Sequence, residues 1–291
     1  MCLDIRKTTI KVDGLKKEYK FLQISDLHML KMDERDSEAR RKGYKKRADD
    51  YFTLNGVPTY DLLPTFLEVA KSENALPIFT GDTVDIPTES AYEVLDKYMP
   101  LPPDVMFIFG NHDWSFMDYI HGIDRDTVTK DDYWSDEYRQ KYYPRYQKFA
   151  QNGNLHYQAI ECDEIIYAGF DNTENQLDQS QCDFLISLSK KQKPIIIFCH
   201  NPFYCDTLHQ PLVDRWGERG ANSTVVNGKS SPMNEQTKNF YRAMLSPDSN
   251  VIAVVAGHVH IEHDDLIEGK IPQYCGAGAY SGIARLFTIK A

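Results

Sequence analysis

No stretch of the chain approaches the ~18 consecutive apolar residues of a membrane span. Met1–Lys11 carries Asp4, Arg6 and Lys7 where a secretory leader would be apolar. Both lacks lead to the expectation of a soluble, cytoplasmic protein without a membrane partner. Cysteine is sparse. Cys2, Cys162, Cys182, Cys199, Cys205 and Cys275 form no CxxC pair and scatter across strands, a helix and loops, which argues for reduced thiols rather than a disulfide framework. No internal repeat, low-complexity tract or Pro/Gly/Ser-rich linker interrupts the 291 residues, so one domain over 1–291 is expected. Positive charge is also in deficit: 33 Lys and Arg against 43 Asp and Glu leave a net charge of −10. That balance argues against a polynucleotide partner. It leaves a small anionic substrate open, because charge at a site matters more than the total.

What the chain does have is a set of short, nearly continuous apolar runs, each ending on polar residues. Leu76–Thr80, Val105–Phe109, Pro194–Cys199 and Val251–Ala256 read as strands buried on both faces. Thr8–Val12 and Tyr19–Ser25 read as a hairpin around Asp13-Gly14, and Leu155–Ile160 with Ile165–Phe170 as another around Cys162-Asp163. Leu266–Glu268, Ile271–Tyr274 and Arg285–Ile289 read as closing strands. Helical patterns cover Tyr60–Ser72, Ser90–Tyr98, Asp131–Ala150, Ser180–Lys191 and Met233–Leu245. Alternation of such elements predicts an α/β fold, with ligands gathered beyond the carboxyl ends of the strands.

The runs deliver five motifs: Asp26-Leu27-His28, Gly81-Asp82-Thr83-Val84-Asp85, Gly110-Asn111-His112-Asp113, His200, and Gly257-His258-Val259-His260. Singly they are weak. Roughly one chain in three of this length holds DxH by chance, whereas the Gly-Asn-His-Asp string arises in about one per thousand. Asp82 and Asp85 alone would cap a turn, His200 alone would be a satisfied strand-end histidine, and a lone HxH is more often a surface accident. Two imidazoles two residues apart point to one side if the backbone stays extended. Accidents would not all fall in order at the ends of buried strands, however. Jointly the motifs offer carboxylate, imidazole and amide donors for two metal ions, and a two-metal site beside a spare histidine suits phosphoester cleavage. Five of the nine histidines lie in these motifs; His121, His156, His209 and His263 lie outside them and receive no ligand role. Cys199 would face away from His200 and pack as a small hydrophobe.

From Asp26 to His260 the chain resembles the calcineurin-like metallophosphoesterases. The resemblance implies a four-layer αββα fold, a β-sandwich with helices on both outer faces. It implies that Asp26, His28 and His260 hold one metal ion and Asn111, His200 and His258 a second, with Asp82 bridging them by one carboxylate oxygen to each. His112 would face the substrate as general acid, Asp113 would orient and charge it, and Asp85 would support the loop. The cofactors implied are two divalent or trivalent transition-metal ions, for which Mn, Fe and Zn all suit these donors. The activity implied is hydrolysis of a phosphomonoester or phosphodiester of a small molecule, by hydroxide shared between the ions. Asn111 and His112 would contact the substrate, and Trp114, directly after Asp113, is a further candidate.

Departures from the family's branches narrow this. Ile86-Pro87 follows Asp85 where protein serine/threonine phosphatases carry Arg-Gly, and Asp85 stands where purple acid phosphatases carry tyrosine. The repair nucleases of the family share the motifs, but this chain is acidic and lacks their capping regions. A non-catalytic scaffold of the same fold, as in a retromer subunit, is the alternative from another class; here every ligand position is filled. Three segments exceed the core. The region 29–59 is mostly charged and reads as a polar cover over the site. Its basic run, Arg40 to Arg47, could contact phosphates, though a solvated helix with interspersed acids is the plainer reading. The region 114–143 is rich in aromatics, among them Phe116, Tyr119, Tyr133 and Trp134, and the region 205–233 reads as a long polar loop.

Overall fold

The computed structural model describes residues 3–52, 57–114 and 139–291. Among these residues eleven strands form two sheets, and the sheets pack face to face. The first contains β1 (Asp4–Lys11), β2 (Tyr19–Ile24), β3 (Leu76–Thr80), β4 (Met106–Ile108) and β11 (Ile283–Lys290), in the order β1-β11-β2-β3-β4. The second contains β5 (Tyr157–Glu161), β6 (Ile166–Phe170), β7 (Ile195–Phe198), β8 (Val251–Ala256), β9 (His263–Ile267) and β10 (Ile271–Cys275), in the order β5-β6-β7-β8-β10-β9.

The two-residue period of a strand explains why the central strands are apolar throughout. Phe21, Ile78, Met106 and Ile108 of the first sheet meet Ile196, Phe198, Ala253 and Val255 of the second in one inner core. The alternate residues face outward. Leu22, Ile24, Phe79 and Phe107 pack under helices Thr59–Ser72 and Glu89–Tyr98. Ile195, Ile197, Val254 and Ala256 pack under helices Gln179–Ser189 and Glu235–Leu245. The layers are therefore helix, sheet, sheet, helix, as expected. Helix starts are fixed locally: the Asp178 carboxylate accepts from the Gln181 amide in a capping box, and Thr88 Oγ1 accepts from the Ala91 amide.

The expected first hairpin is absent. β11 lies between β1 and β2, parallel to β1 and antiparallel to β2. A strand from the far end of the chain takes the pairing that Asp13-Gly14 suggested for its neighbours. The second hairpin forms, with β5 and β6 antiparallel. The pattern at Asp131–Ala150 does not make one helix where it is described: Tyr143–Tyr146 is a short helix followed by two 3-10 turns. Residues 131–138, and with them most of the aromatic segment, lie outside the described residues. The segment 205–233 holds a helix, Asp206–Ser223, rather than a loop; Leu208 and Leu212, four apart, anchor it to the second outer core. The segment 29–59 is not polar throughout. It carries helix Glu38–Phe52, whose Tyr44 packs with Leu30 and Ile86 in a cluster of its own.

Candidate metal centre

β2, β3 and β4 run parallel, as do β7 and β8, so their carboxyl ends gather at one edge of the sandwich. The turns beyond those ends are stitched together by the backbone. The Asp26 amide donates to the Gly81 carbonyl at 3.0 Å, the His28 amide to the Asp82 carbonyl at 2.9 Å, and the Gly257 amide to the His200 carbonyl at 2.9 Å. Asp26, His28, Asp82, His258 and His260 all adopt positive φ, between 47° and 67°. Few non-glycine residues accept this left-handed geometry, and where they do it clusters at functional sites. Here it turns successive side chains into a shared space. At Gly81, φ 90°, a Cβ would run into the His200 imidazole, and at Gly110 and Gly257 it would meet the Asp82 amide and the Ser25 hydroxyl, so none of the three motif glycines has room for a side chain.

The structure brings all seven expected metal-binding residues together. Asp26, His28, Asp82 and His260 present donor atoms within 4.8 Å of one another, as do Asp82, His200 and His258. In the first group His28 Nε2 lies 3.0 Å from His260 Nε2, and His260 Nε2 lies 3.2 Å from Asp26 Oδ1. In the second, His200 Nε2 lies 3.1 Å from His258 Nδ1, 3.3 Å from Asp82 Oδ2 and 3.2 Å from Asn111 Oδ1. Donors about 3 Å apart are spaced to share an ion held at ~2.0–2.2 Å from each. The tautomers agree with that use. His28 Nδ1–H donates to Asp85 Oδ1 at 2.8 Å, and His200 Nδ1–H donates to the Thr80 carbonyl at 2.8 Å. Neutral, both rings therefore turn a bare Nε2 inward. Imidazole nitrogens facing each other in a buried pocket fit a cation better than they fit each other.

Two details differ from the expected arrangement. Asp82 does not offer one oxygen to each side: its Oδ1 accepts from the His112 amide at 2.8 Å, while Oδ2 alone faces both groups, 3.8 Å from His28 Nε2 and 3.3 Å from His200 Nε2. The segment from His258 to His260 is not extended either. With φ of 67° and 52°, its imidazoles part, His258 to the group of His200 and His260 to the group of His28.

Asp113 and Asp85 exchange their expected tasks. Asp113 accepts from the Val84 amide at 2.9 Å and the Gly110 amide at 2.8 Å, tying two site loops together without touching the His112 ring. Asp85 holds His28, lies 3.1 Å from His112 Nδ1, and accepts from Arg47 Nε at 2.7 Å and from its Nη2. Trp114 does not face a substrate. It is fully buried, edge-on to Phe109 at 5.8 Å, with the Arg139 guanidinium 3.9 Å over its ring. His112 keeps an exposed edge, with Nε2 3.9 Å from Asp82 Oδ2.

Charge is distributed accordingly. Burial opposes ionisation of Asp82 and Asp26, yet the imidazoles, His200 foremost for Asp82 and His260 for Asp26, keep both below the usual carboxylate range. Asp85, against the same burial, is held well down by Arg47 and the two histidines. Burial drives His28 down to about 4, helped by His112, and His258 down to about 3, helped by His200. Burial works against charge on His112 and His200 as well, but the Asp82 carboxylate outweighs it, raising His112 and bringing His200 up to about 9. Burial and the Asp82 charge lift Asp113 to about 8.

Arg47 is the site residue that sequence reasoning assigned to a solvated face. Its signal was spacing: Tyr44, Arg47 and Ala48 fall on one helical side, and Tyr44 is fully buried. Asn172, which accepts from the His200 and Asn201 amides through Oδ1, carried no signal at all. Cys199 behaves as read, packing in the outer core away from the site.

The family model for calcineurin-like phosphoesterase matches residues 19–262. No curated protein matches the chain by sequence. Among solved structures the chain is similar to a dimetal phosphatase from Danio rerio, with 13% identity and a TM-score of 0.49 over 90% of this chain and 88% of that one. It is also similar to a phosphopantetheinyl hydrolase from Mycobacterium tuberculosis (12%, 0.42, 91% of each). A 5'-nucleotidase from Candida albicans (14%, 0.44) is matched over 90% of this chain but only 45% of its own length. Likenesses this distant carry no statement about substrate.

Proposed function

The chain belongs to the calcineurin-like phosphoesterase family, and from that premise we propose that it hydrolyses a phosphomonoester or phosphodiester of a small molecule, using two metal ions. The observation that carries the reading is the meeting of seven donor residues from five strand ends in two adjoining groups that share Asp82. Asp26, His28 and His260 would hold one ion, Asn111, His200 and His258 the other, and Asp82 both. Mn, Fe and Zn fit this mixed set, and availability decides among them. When bound, the ions would supply an activated water and positive charge for the phosphate.

The chain's own residues account for the rest. His112 turns one ring nitrogen to Asp85 and the other into the site. Asp82 and Asp85 favour its protonated form, so it can give a proton to the departing oxygen. Asp85 fixes the His112 and His28 rings, and Arg47 balances the charge that Asp85 brings. Asp113 keeps the loops of Asp82 and Asn111 in register. The five described cysteines, all free thiols, support a cytoplasmic setting; among the described residues no helix is long and apolar enough to cross a membrane.

Turnover of nitrophenyl phosphate and of its bis-nitrophenyl diester by the manganese-loaded protein tests the reading and separates the two ester classes. His112→Asn should keep its metal and lose ~10²–10⁴-fold in rate on alkyl esters, with a smaller loss on nitrophenyl esters, whose leaving groups need no proton. A loaded wild type inert toward both ester classes would leave a scaffold as the better reading.

A further inference from the structure

Three side chains outside every motif border the donor groups. Arg215 and Trp216 lie on helix Asp206–Ser223, and Tyr280 lies in the 3-10 turn Ala279–Ser281. The Trp216 ring centroid is 6.2 Å from that of His258 and 6.0 Å from that of His260, so one indole touches the edge of both groups. Tyr280 stands 5.2 Å from the His260 ring and 5.9 Å from that of His28. Trp216 is 37% exposed, so core packing does not account for where it sits. The next residue, Gly217, breaks the helix at φ 70°, ψ 170°, a combination essentially confined to glycine. The chain thus turns sharply directly after placing an arginine and an indole at the mouth of the site.

Arg215 donates to the Tyr280 hydroxyl at 3.2 Å, and its Nη2 lies 3.4 Å from His260 Nδ1. Among the described residues it has no carboxylate partner. If His260 Nε2 is the donor toward an ion, Nδ1 carries the ring proton and meets the guanidinium donor to donor. Arg215 then needs an acceptor on the site side, and an anionic oxygen supplies one.

We infer that Arg215, Trp216 and Tyr280 form the wall that reads the substrate, and that the substrate is a phosphoester bearing a flat aromatic ring. Trp216 stacks on that ring, Arg215 takes a phosphate oxygen that is not attacked, and Tyr280 holds Arg215 in place. The inference rests on the phosphoesterase reading above and adds the class of organic group.

Phenylphosphonate and methylphosphonate test it, because neither can be hydrolysed and only one carries a ring. Calorimetric titration of the manganese-loaded full chain should show tighter binding of phenylphosphonate. Trp216→Ala should weaken phenylphosphonate by about 5- to 150-fold, the range for loss of one ring stack, and leave methylphosphonate unchanged. Trp216→Phe should restore part of the difference. Arg215→Met should weaken both ligands alike. Equal binding of the two by wild type, or a preference that survives Trp216→Ala, overturns the inference while the phosphoesterase reading stands. If neither phosphonate binds the loaded protein, and nitrophenyl esters are not turned over, the phosphoesterase reading fails and this one falls with it.

Discussion

Replacing Asp85 by Asn should weaken metal binding about 10- to 100-fold, or about 1.4–2.7 kcal/mol, the usual cost of losing a residue that orients a ligand from behind. The carboxylate accepts from His28 Nδ1–H at 2.8 Å and from Arg47 Nε–H at 2.7 Å, and it lies 3.1 Å from His112 Nδ1. An amide of the same shape keeps one acceptor oxygen, so its NH2 must face at least one of these donors. Facing His28, it moves the ring proton to Nε2, the atom aimed at the other donors. Facing Arg47, it leaves the guanidinium unbalanced. Hydrogen bonds to charged groups contribute about 1.5–3 kcal/mol. The Arg47 side chain is 15% exposed, so part of its charge can relax to water and the stability loss should fall below the ~3–5 kcal/mol of a fully buried broken pair. Manganese titration by calorimetry reads the affinity, and urea unfolding in EDTA reads the stability. Asp113→Asn is the matched control. It loses one of two loop hydrogen bonds, should cost about 1–3 kcal/mol of stability, and should leave manganese affinity near that of the wild type. Unchanged affinity in Asp85→Asn together with a loss in Asp113→Asn would reverse the two roles and refute the reasoning.

The exchange between Asp85 and Asp113 illustrates what the chain shows in one dimension and what it hides. The donors were legible because each follows an apolar strand, and a buried strand end is a local pattern: Leu76–Thr80 and Val251–Ala256 appear in the structure with the expected bounds. What the carboxylates touch was not legible, because it depends on turns in the left-handed region and on a helix reaching in from the segment 29–59. The hairpin expected near Asp13-Gly14 failed for a related reason: β1 pairs with β11, and Ile10 lies opposite Ile289, a partner no local pattern could reveal. Trp114 was misread because adjacence to Asp113 in sequence says nothing of direction; the backbone turns it into the core. Arg215 and Trp216 were hidden in a stretch whose Pro211, Gly217 and Gly220 read as loop punctuation, although Leu208 and Leu212 carried the helical signal.

Trp114→Ala should cost about 3–5 kcal/mol in urea unfolding, as for other buried large rings, and leave kcat per folded molecule near wild type; a drop in kcat without loss of stability would put Trp114 back at the substrate. Gly81→Ala should abolish binding at the His200 group, because the new Cβ occupies the imidazole's place at a φ of 90°; full metal content by elemental analysis would contradict this. Metal uptake at that group should also depend on pH with a fixed sign. The proton held by His200 up to about 9 must leave, whereas His28 and His258, at about 4 and about 3, are already neutral. Apparent manganese affinity there should therefore rise with pH, about tenfold per unit below pH ~9. A flat profile in titrations across neutral pH would contradict the assignment.

The metal count per chain tests most directly whether two ions bind in a centre organised around Asp82. Elemental analysis of the full chain, loaded with manganese and dialysed, should give two ions per chain for the wild type. Asp82→Ala should hold markedly less at both groups, whereas His200→Ala should lose chiefly one ion. A wild type that never holds more than one ion after loading, or an Asp82→Ala protein that still holds two, would contradict the account.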